Sequence, residues 1–192
     1  RLLRKQLGYS YLGNWQDRPN NQPVEEALLR EWLRGRAVDE TLIGRVLHKL
    51  NQAAALGAGK NLYDANKAVY SLLRYGVKVS PGAGQQMETV WLIDWQQPEA
   101  NDFAVAEEVS LAGEHNKRPD VVLYVNGIAV AVLELKRSSV SVSEGVRQNI
   151  LNQEKAFIRK FFTTIQLVLA GNDTEGLRYG TIDTREKYFL TW

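Results

Sequence analysis

PDVVLYVNGIAVAVLELKR, residues 119–137, is the stretch of sequence that decides the fold. Its two runs, residues 121–125 and 128–135, are rich in β-branched and aliphatic side chains. Between them stands Asn126-Gly127, a dipeptide typical of the two-residue turn that joins antiparallel strands. The stretch therefore predicts a β-hairpin near the centre of a sheet.

The charged residues of this stretch gather at one end of the predicted hairpin. The second run is apolar enough for burial on both faces, yet it ends in Glu134 and Lys136, which project to the same side. A buried charge is normally paired, bound to a metal or placed at an edge. Asp120 opens the first run, so the hairpin brings it close to Glu134. Two carboxylates with water can hold Mg²⁺, and a lysine can position a water and stabilise transition-state charge. We therefore predict a metal-dependent phosphodiester nuclease centre.

A regular ladder would separate the two carboxylates. A strict two-residue turn pairs Val125 with Ile128 and places Asp120 opposite Leu133, so that Asp120 and Glu134 face opposite sides of the sheet. We therefore predict a β-bulge, or a bend that holds Asp120 outside the regular strand. The alternative interpretation of Glu-x-Lys, a weak motif by itself, is a structural ion pair at a sheet edge.

Helices precede the sheet in the predicted order of elements. Apolar residues at helical spacing predict helices over residues 23–34, 39–55, 62–73 and 143–162. Runs of β-forming residues bounded by turn signals predict further strands over residues 77–79, 88–95, 102–111, 165–170 and 177–182.

This order predicts a single α/β domain over residues 1–192, with a mainly helical part over 1–76 and the sheet, which holds the predicted catalytic core, over 77–192. The chain begins at Arg1 and ends in a strand-like stretch at Trp192, which we interpret as a fragment of a longer protein.

Composition excludes several classes of site. The chain has no cysteine, which excludes disulfides and thiolate metal sites and fits a reducing cytoplasm, and its two histidines are too few for a zinc cluster. No apolar run is long enough to span a membrane. With 24 basic and 22 acidic residues the net charge is only +2, so any DNA-binding surface must be local or completed by another domain.

The spacing Pro119-Asp120, thirteen residues, Glu134-Leu135-Lys136 resembles the PD-(D/E)xK nuclease superfamily, which includes the RecB-like nucleases. Further stretches resemble the amino-terminal nuclease domain of the restriction (motor) subunit of type I restriction-modification enzymes. These stretches are RPDVVLYVNGIAVAVLELKR, EEALLREWL, NKAVYSLLRYGV, LIDWQQPEANDF and QLVLAGND.

The resemblance implies a restriction-endonuclease-like core, in which a mixed β-sheet with an antiparallel hairpin is flanked by helices. It implies that Asp120 and Glu134 bind Mg²⁺, for which Mn²⁺ can substitute, and that Lys136 is the catalytic lysine.

The activity that the resemblance implies is cleavage of double-stranded DNA in the cytoplasm of a bacterium or archaeon. Methylation and specificity subunits would be partners, no membrane would be involved, and ATP would be used only by motor domains outside this fragment. No Gly-x-x-x-x-Gly-Lys-[ST] phosphate loop occurs in the chain.

The resemblance also points to a glutamine on the helix after the lysine, usually in a Gln-x-x-x-Tyr pattern. Gln148 occupies that place, although a polar residue at the margin of the helical seam is the alternative. Asn152 stands where the tyrosine would be, and Gln153 with Phe157 gives a second match to the pattern. A first-helix glutamate commonly completes such sites, and Glu26 is the candidate over Glu25; for either residue the alternative, which the first-turn position favours, is a solvated carboxylate at the helix start.

Two rival functions stay open at the level of sequence. One is a non-cleaving DNA-binding or coupling module with a degenerate nuclease fold. The other is a repair-type PD-(D/E)xK exonuclease.

Overall fold

The computed structural model describes residues 2–57 and 59–192; Arg1 and Ala58 lie outside it. The α-helices are α1 (Leu2–Lys5), α2 (Glu26–Gly35), α3 (Glu40–Ala54), α4 (Leu62–Tyr75) and α5 (Val142–Asn152). Short 3-10 helices are found at Pro98–Ala100, Arg159–Thr163 and Glu186–Tyr188.

The strands form one large sheet and one small one. They are β1 (Ser10–Asn14), β2 (Val77–Val79), β3 (Glu88–Val90), β4 (Phe103–Glu107), β5 (Val121–Val125), β6 (Ile128–Leu135), β7 (Leu167–Asn172), β8 (Gly176–Gly180) and β9 (Leu190–Thr191). The large sheet has seven strands in the order β1-β4-β5-β6-β7-β8-β9, and β2 pairs with β3 alone.

The large sheet is mixed. Strands β4, β5 and β6 run antiparallel to one another, whereas β1 is parallel to β4 and β7 is parallel to β6. Parallel neighbours need a crossover connection, and α5 supplies it between β6 and β7. The predicted fold class is confirmed: the chain is a mixed α/β protein whose sheet is flanked by helices, compatible with a restriction-endonuclease-like fold.

Helices α2 and α3 pack at the turn end of the β5–β6 hairpin. Leu29, Leu33, Ile43 and Leu50 are fully buried there with Ile128. A second core contains Val122, Tyr124 and Val132 of the hairpin together with Phe161 and Phe162. Glu134 thus lies at the opposite end of the hairpin from α2 and α3.

The hairpin turn is held in a left-handed conformation at both of its central residues. Asn126 has φ +52° and Gly127 has φ +81°, as a two-residue turn matched to strand twist requires. The Asn126 side chain is buried and donates to the carbonyl of Leu92 at 2.8 Å. A β-carbon on Gly127 would lie 2.8 Å from the Leu29 nitrogen and 2.9 Å from the Glu25 carbonyl oxygen. Glycine therefore serves both the backbone conformation and the close approach of α2.

Three predicted elements differ from the structure in the length or type of the segment. The helix predicted over 143–162 ends at Asn152, and the next residue, Gln153, is buried and accepts a hydrogen bond from the backbone N–H of Asp183. The chain then continues in turns to a 3-10 helix at Arg159–Thr163. The strand predicted over 88–95 is limited to β3, and the strand predicted over 102–111 ends at Glu107.

Strand β1 was not predicted and lies within the part expected to be mainly helical. Its side chains are mostly exposed and show no alternation, so the sequence SYLGN carries no strand signal of its own. It forms because β4 offers a free edge to which it pairs in parallel. Within the part of the chain that the structure describes, no helix has the length and apolarity needed to span a membrane.

Gly127→Ala is expected to lower the free energy of unfolding by about 3 kcal/mol or more, because it adds backbone strain to an overpacked contact. Gly176→Ala is the matched control: its φ is +75° and no atom lies within 4 Å of the added carbon. The control should lose only about 1 kcal/mol. Urea unfolding of both variants measures the difference, and equal losses would contradict the close approach of α2.

Candidate nuclease centre

A bulge in the hairpin places Asp120 beside Glu134. Leu123 pairs with Ala131 but Tyr124 pairs with Ala129, so one residue of β6 has no partner and the register shifts by one. As a result Val121 pairs with Leu133, and the residue before Val121 falls level with the residue after Leu133. The predicted bulge is confirmed.

The predicted bend is present as well, since Asp120 lies in a bend that precedes β5. Its Oδ2 accepts a hydrogen bond from the backbone N–H of Leu135 at 2.7 Å. This bond fixes the carboxylate of Asp120 against the end of β6. The bulge in β6 and the bend at Asp120 therefore together bring the two carboxylates close to each other.

The carboxyl group of Glu134 is completely buried. Its Oε2 accepts a hydrogen bond from Nε2 of Gln148 at 2.7 Å. Its Oε1 has no hydrogen-bond partner among the residues that the structure describes. Burial, followed by the negative charge of Asp120, raises the pKa of Glu134 to about 8, although Lys136 acts in the opposite direction. In the absence of a cation this carboxyl group therefore holds a proton at neutral pH.

Gln148 joins Lys136 to Glu134. Nζ of Lys136 donates to Oε1 of Gln148 at 2.6 Å and lies 3.9 Å from Oε2 of Glu134. Gln148 can reach both because Gly145, three residues earlier on α5, lets the helix approach the sheet. A β-carbon on Gly145 would lie 3.0 Å from Ala170 and 3.5 Å from the side chains of Glu134 and Lys136. A glycine inside a predicted helix was the sequence signal for this approach, and sequence analysis overlooked it.

The structure decides between the two glutamines that matched the sequence pattern. Gln148 contacts the centre, whereas Oε1 of Gln153 accepts from the backbone N–H of Asp183 at 2.8 Å. Asn152 is buried without reaching the centre, and Phe157 lies beneath Nζ of Lys117. Only the first glutamine is placed to act with Lys136.

The structure does not bring Glu26 to this centre, and its prediction as a site residue is corrected. Val24 bridges to Ile128, which lies six residues before Glu134 on β6, a distance of about 20 Å along a strand. The carboxylate of Glu26 is exposed and accepts a hydrogen bond from Asn51 on α3. Glu26 lies far from Glu134 because α2, which carries Glu26, packs at the turn end of the hairpin.

Glu108 is a neighbour of the centre that sequence analysis missed. Its backbone N–H donates to the carbonyl oxygen of Asp120 at 2.9 Å, and its charge contributes to the raised pKa of Glu134. Glu108 has φ +52°, a conformation that non-glycine residues rarely adopt, and its carboxylate pairs with Arg118 at 2.7 Å. No motif marks this residue; only the β4–β5 register places it beside Asp120.

The donor set suits a hard divalent cation. Asp120 and Glu134 offer carboxylate oxygens, and the unpartnered Oε1 of Glu134 is a buried oxygen that a cation could satisfy. In residues 2–57 and 59–192, no three or more acidic or histidine side chains converge as a complete metal cage. Water and a substrate oxygen would therefore have to supply the remaining ligands, as is usual for Mg²⁺.

A mixed sheet with a bulged hairpin, and two carboxylates, a lysine and a glutamine gathered at the open end of that hairpin, define the class of restriction-endonuclease-like domains. Residues 1–187 match the family described as Type I restriction enzyme R protein N terminus, and the chain belongs to that family.

The chain is similar to three relatives that are each named as an endonuclease subunit of a type I restriction enzyme. The MjaVIIIP subunit of Methanocaldococcus jannaschii is 32% identical over 107 residues, which are 54% of this chain and 10% of that protein. The EcoprrI subunit of Escherichia coli is 26% identical over 104 residues, 53% of this chain and 33% of the relative. The HindI subunit of Haemophilus influenzae is 27% identical over 139 residues, 69% of this chain and 13% of the relative. The matched regions thus span between a tenth and a third of each relative.

The raised pKa of Glu134 predicts a pH-dependent stability in metal-free buffer. The carboxyl is neutral in the folded chain up to about pH 8 but ionises near its ordinary pKa of 4.5 when unfolded. Its contribution to stability is therefore present below that ordinary value and is lost as the pH rises towards 8. Glu134→Gln removes this titration, so its Tm should exceed that of the parent chain by a few degrees at high pH and by much less near the ordinary pKa.

Scanning calorimetry in EDTA across this pH range measures the effect. Glu99→Gln, at an exposed carboxylate, is the matched control and should follow the parent chain at every pH. A constant Tm difference between Glu134→Gln and the parent chain would show that Glu134 is ionised in the folded state.

Proposed function

We propose that this chain is the Mg²⁺-dependent endonuclease domain of the R subunit of a type I restriction enzyme and hydrolyses phosphodiester bonds of double-stranded DNA. The observation that carries the proposal is the fully buried Glu134 beside Asp120: one of its oxygens has no partner among the described residues, and the other is tied to Lys136 through Gln148. A purely structural ion pair would not leave a buried carboxylate oxygen without a partner.

Asp120 and Glu134 would hold the cation. A bound Mg²⁺ would polarise the phosphate and lower the pKa of a coordinated water. Binding must displace the proton that Glu134 carries in the metal-free chain. The hydrogen bond from the backbone N–H of Leu135 fixes the Asp120 carboxylate at the end of β6, level with Glu134.

Lys136 would act on the substrate. Its ammonium group has three donors, and the bond to Gln148 uses one of them and fixes the direction of the other two. Those donors can orient an attacking water and stabilise the negative charge that develops on the phosphate oxygens. Gln148 is a positioning residue in this scheme, since it sets the place of Lys136 relative to Glu134.

The wider assembly is also part of the proposal. Cleavage would follow ATP-driven translocation by motor domains outside these residues, and methylation and specificity subunits would supply recognition of the DNA sequence in the cytoplasm. Membership of the family and the names of the relatives support this assembly. The single endonuclease domain over residues 1–192 is proposed as the unit that the motor carries.

Metal binding is tested first, by titrating the chain with Mn²⁺ and measuring free Mn²⁺ by electron paramagnetic resonance. Asp120→Asn and Glu134→Gln should each weaken binding by about tenfold or more, because each removes one of two anionic ligands. Lys136→Ala should keep or strengthen Mn²⁺ binding, because it removes a nearby positive charge. Unchanged binding in both carboxylate variants would place the metal elsewhere.

Cleavage of supercoiled plasmid by the assembled restriction complex is the second test. Asp120→Asn, Glu134→Gln and Lys136→Ala should each reduce the rate by at least about a hundredfold. Glu26→Gln is the control and should cut at the parent rate, since its carboxylate lies at the other end of β6.

The outcomes separate the rivals. Full cleavage by the Asp120→Asn variant would mean that the domain is a non-cleaving coupling module. Digestion of linear DNA from its ends, with no cutting of closed circles, would identify an exonuclease instead.

A further inference from the structure

A wide cavity lies outside the cluster of Asp120, Glu134, Lys136 and Gln148. Its volume is about 1330 Å³, and we call it the basic groove. It is lined by residues of four segments: 18–23, 56–61 (Ala58 excepted), 110–118 and 155–161. None of the four proposed nuclease residues belongs to its lining, so the groove is a surface distinct from the nuclease centre.

The charge of the basic groove is strongly one-sided. Seven basic side chains line it, against the single carboxylate of Glu114; the basic residues are Arg18, Lys60, Lys117, Arg118, Lys155, Arg159 and Lys160. The chain has 24 basic and 22 acidic residues, so the rest of the chain has 17 basic and 21 acidic residues. The small positive net charge of the protein therefore arises from this one concave surface.

Most of these cations have no carboxylate partner among the described residues. Arg18 pairs with Glu25, and Arg118 pairs with Glu108. The other five cations form no ion pair with any residue that the structure describes. Lys155 and Lys160 are exposed. Uncompensated cations in a concave surface create a positive potential that attracts an anionic ligand.

The basic groove begins next to the nuclease centre. Arg118 precedes Asp120 by two residues and its ion-pair partner Glu108 donates its backbone N–H to Asp120. The segment 110–118 joins the end of β4 to the start of β5, and the pairing of β5 with β6 places this edge level with Glu134. A ligand long enough to lie along the groove would therefore reach the end of the hairpin that holds the proposed nuclease residues.

From this placement we propose that the basic groove binds the phosphodiester backbone of the DNA beside the bond that is cut. The inference rests on the proposed nuclease function and deepens it by assigning the surface that holds the substrate. The cations act as point charges on successive phosphates, which fixes the position of the DNA without reading its sequence.

The lining favours DNA over an acidic protein segment. Of its apolar members, Leu111, Ile158 and Phe161 are buried in the core and offer little surface to the side chains of a peptide, whereas Leu56 is half-buried. Phe157, which is half-buried, is covered by Nζ of Lys117 at 4.4 Å. The seven cations of the groove, against one carboxylate, suit the regular array of phosphates along a DNA strand.

Fluorescence anisotropy with a short labelled DNA duplex tests the proposal in EDTA, where no cleavage takes place. Lys155→Ala combined with Lys160→Ala should weaken binding by about tenfold, and the slope of log K against log salt should fall by about two. Lys78→Ala combined with Lys187→Ala is the control: both lysines are exposed, both lie outside the groove, and the change in net charge is the same. This control should bind the duplex like the parent chain.

The results separate this proposal from the nuclease assignment. A groove variant that binds DNA like the control overturns the groove proposal, whatever the fate of cleavage. Polyglutamate that displaces the duplex at equal or lower charge concentration also overturns it, in favour of an acidic protein partner. Asp120→Asn should keep duplex binding in EDTA while losing cleavage, so failure of the nuclease assignment would be seen in the plasmid assay alone.

Discussion

The carboxyl group of Glu134 is fully out of water at the end of a strand, and much of the structure around it can be understood as the means of holding it there. Burying a carboxyl without a full set of partners is costly, so neighbouring elements must supply compensation. Gln148 provides one hydrogen bond, and the remaining buried oxygen has no partner among the described residues. The raised pKa of this group is the electrostatic expression of that arrangement.

Three local features make this placement possible. The bulge in β6 brings Asp120 level with Glu134, and Gly145 lets α5 approach until Gln148 reaches the site. Gly127 and the helices α2 and α3 close the opposite end of the hairpin, where the apolar core is dense. The apolar core of α2 and α3 and the proposed nuclease residues therefore lie at opposite ends of β6.

The charge of the chain is unevenly distributed over its surface. Nearly balanced basic and acidic residues conceal a groove with seven cations and one carboxylate, which begins at Arg118 beside the site. A surface of this kind can hold a polyanion even though the chain as a whole is nearly neutral. The net charge of +2 by itself does not reveal such a surface.

The sequence by itself determined the hairpin, its Asn126-Gly127 turn and the presence of Asp120, Glu134 and Lys136 at one end, because these depend on local periodicity and turn chemistry. It also marked Gln148, through resemblance to a family. Only the tertiary structure decided that Glu26 lies away from the site, that Glu108 lies beside it and that β1 is a strand. Each of these depends on which elements pack together across long separations in the chain, and residue patterns within one element do not contain that information.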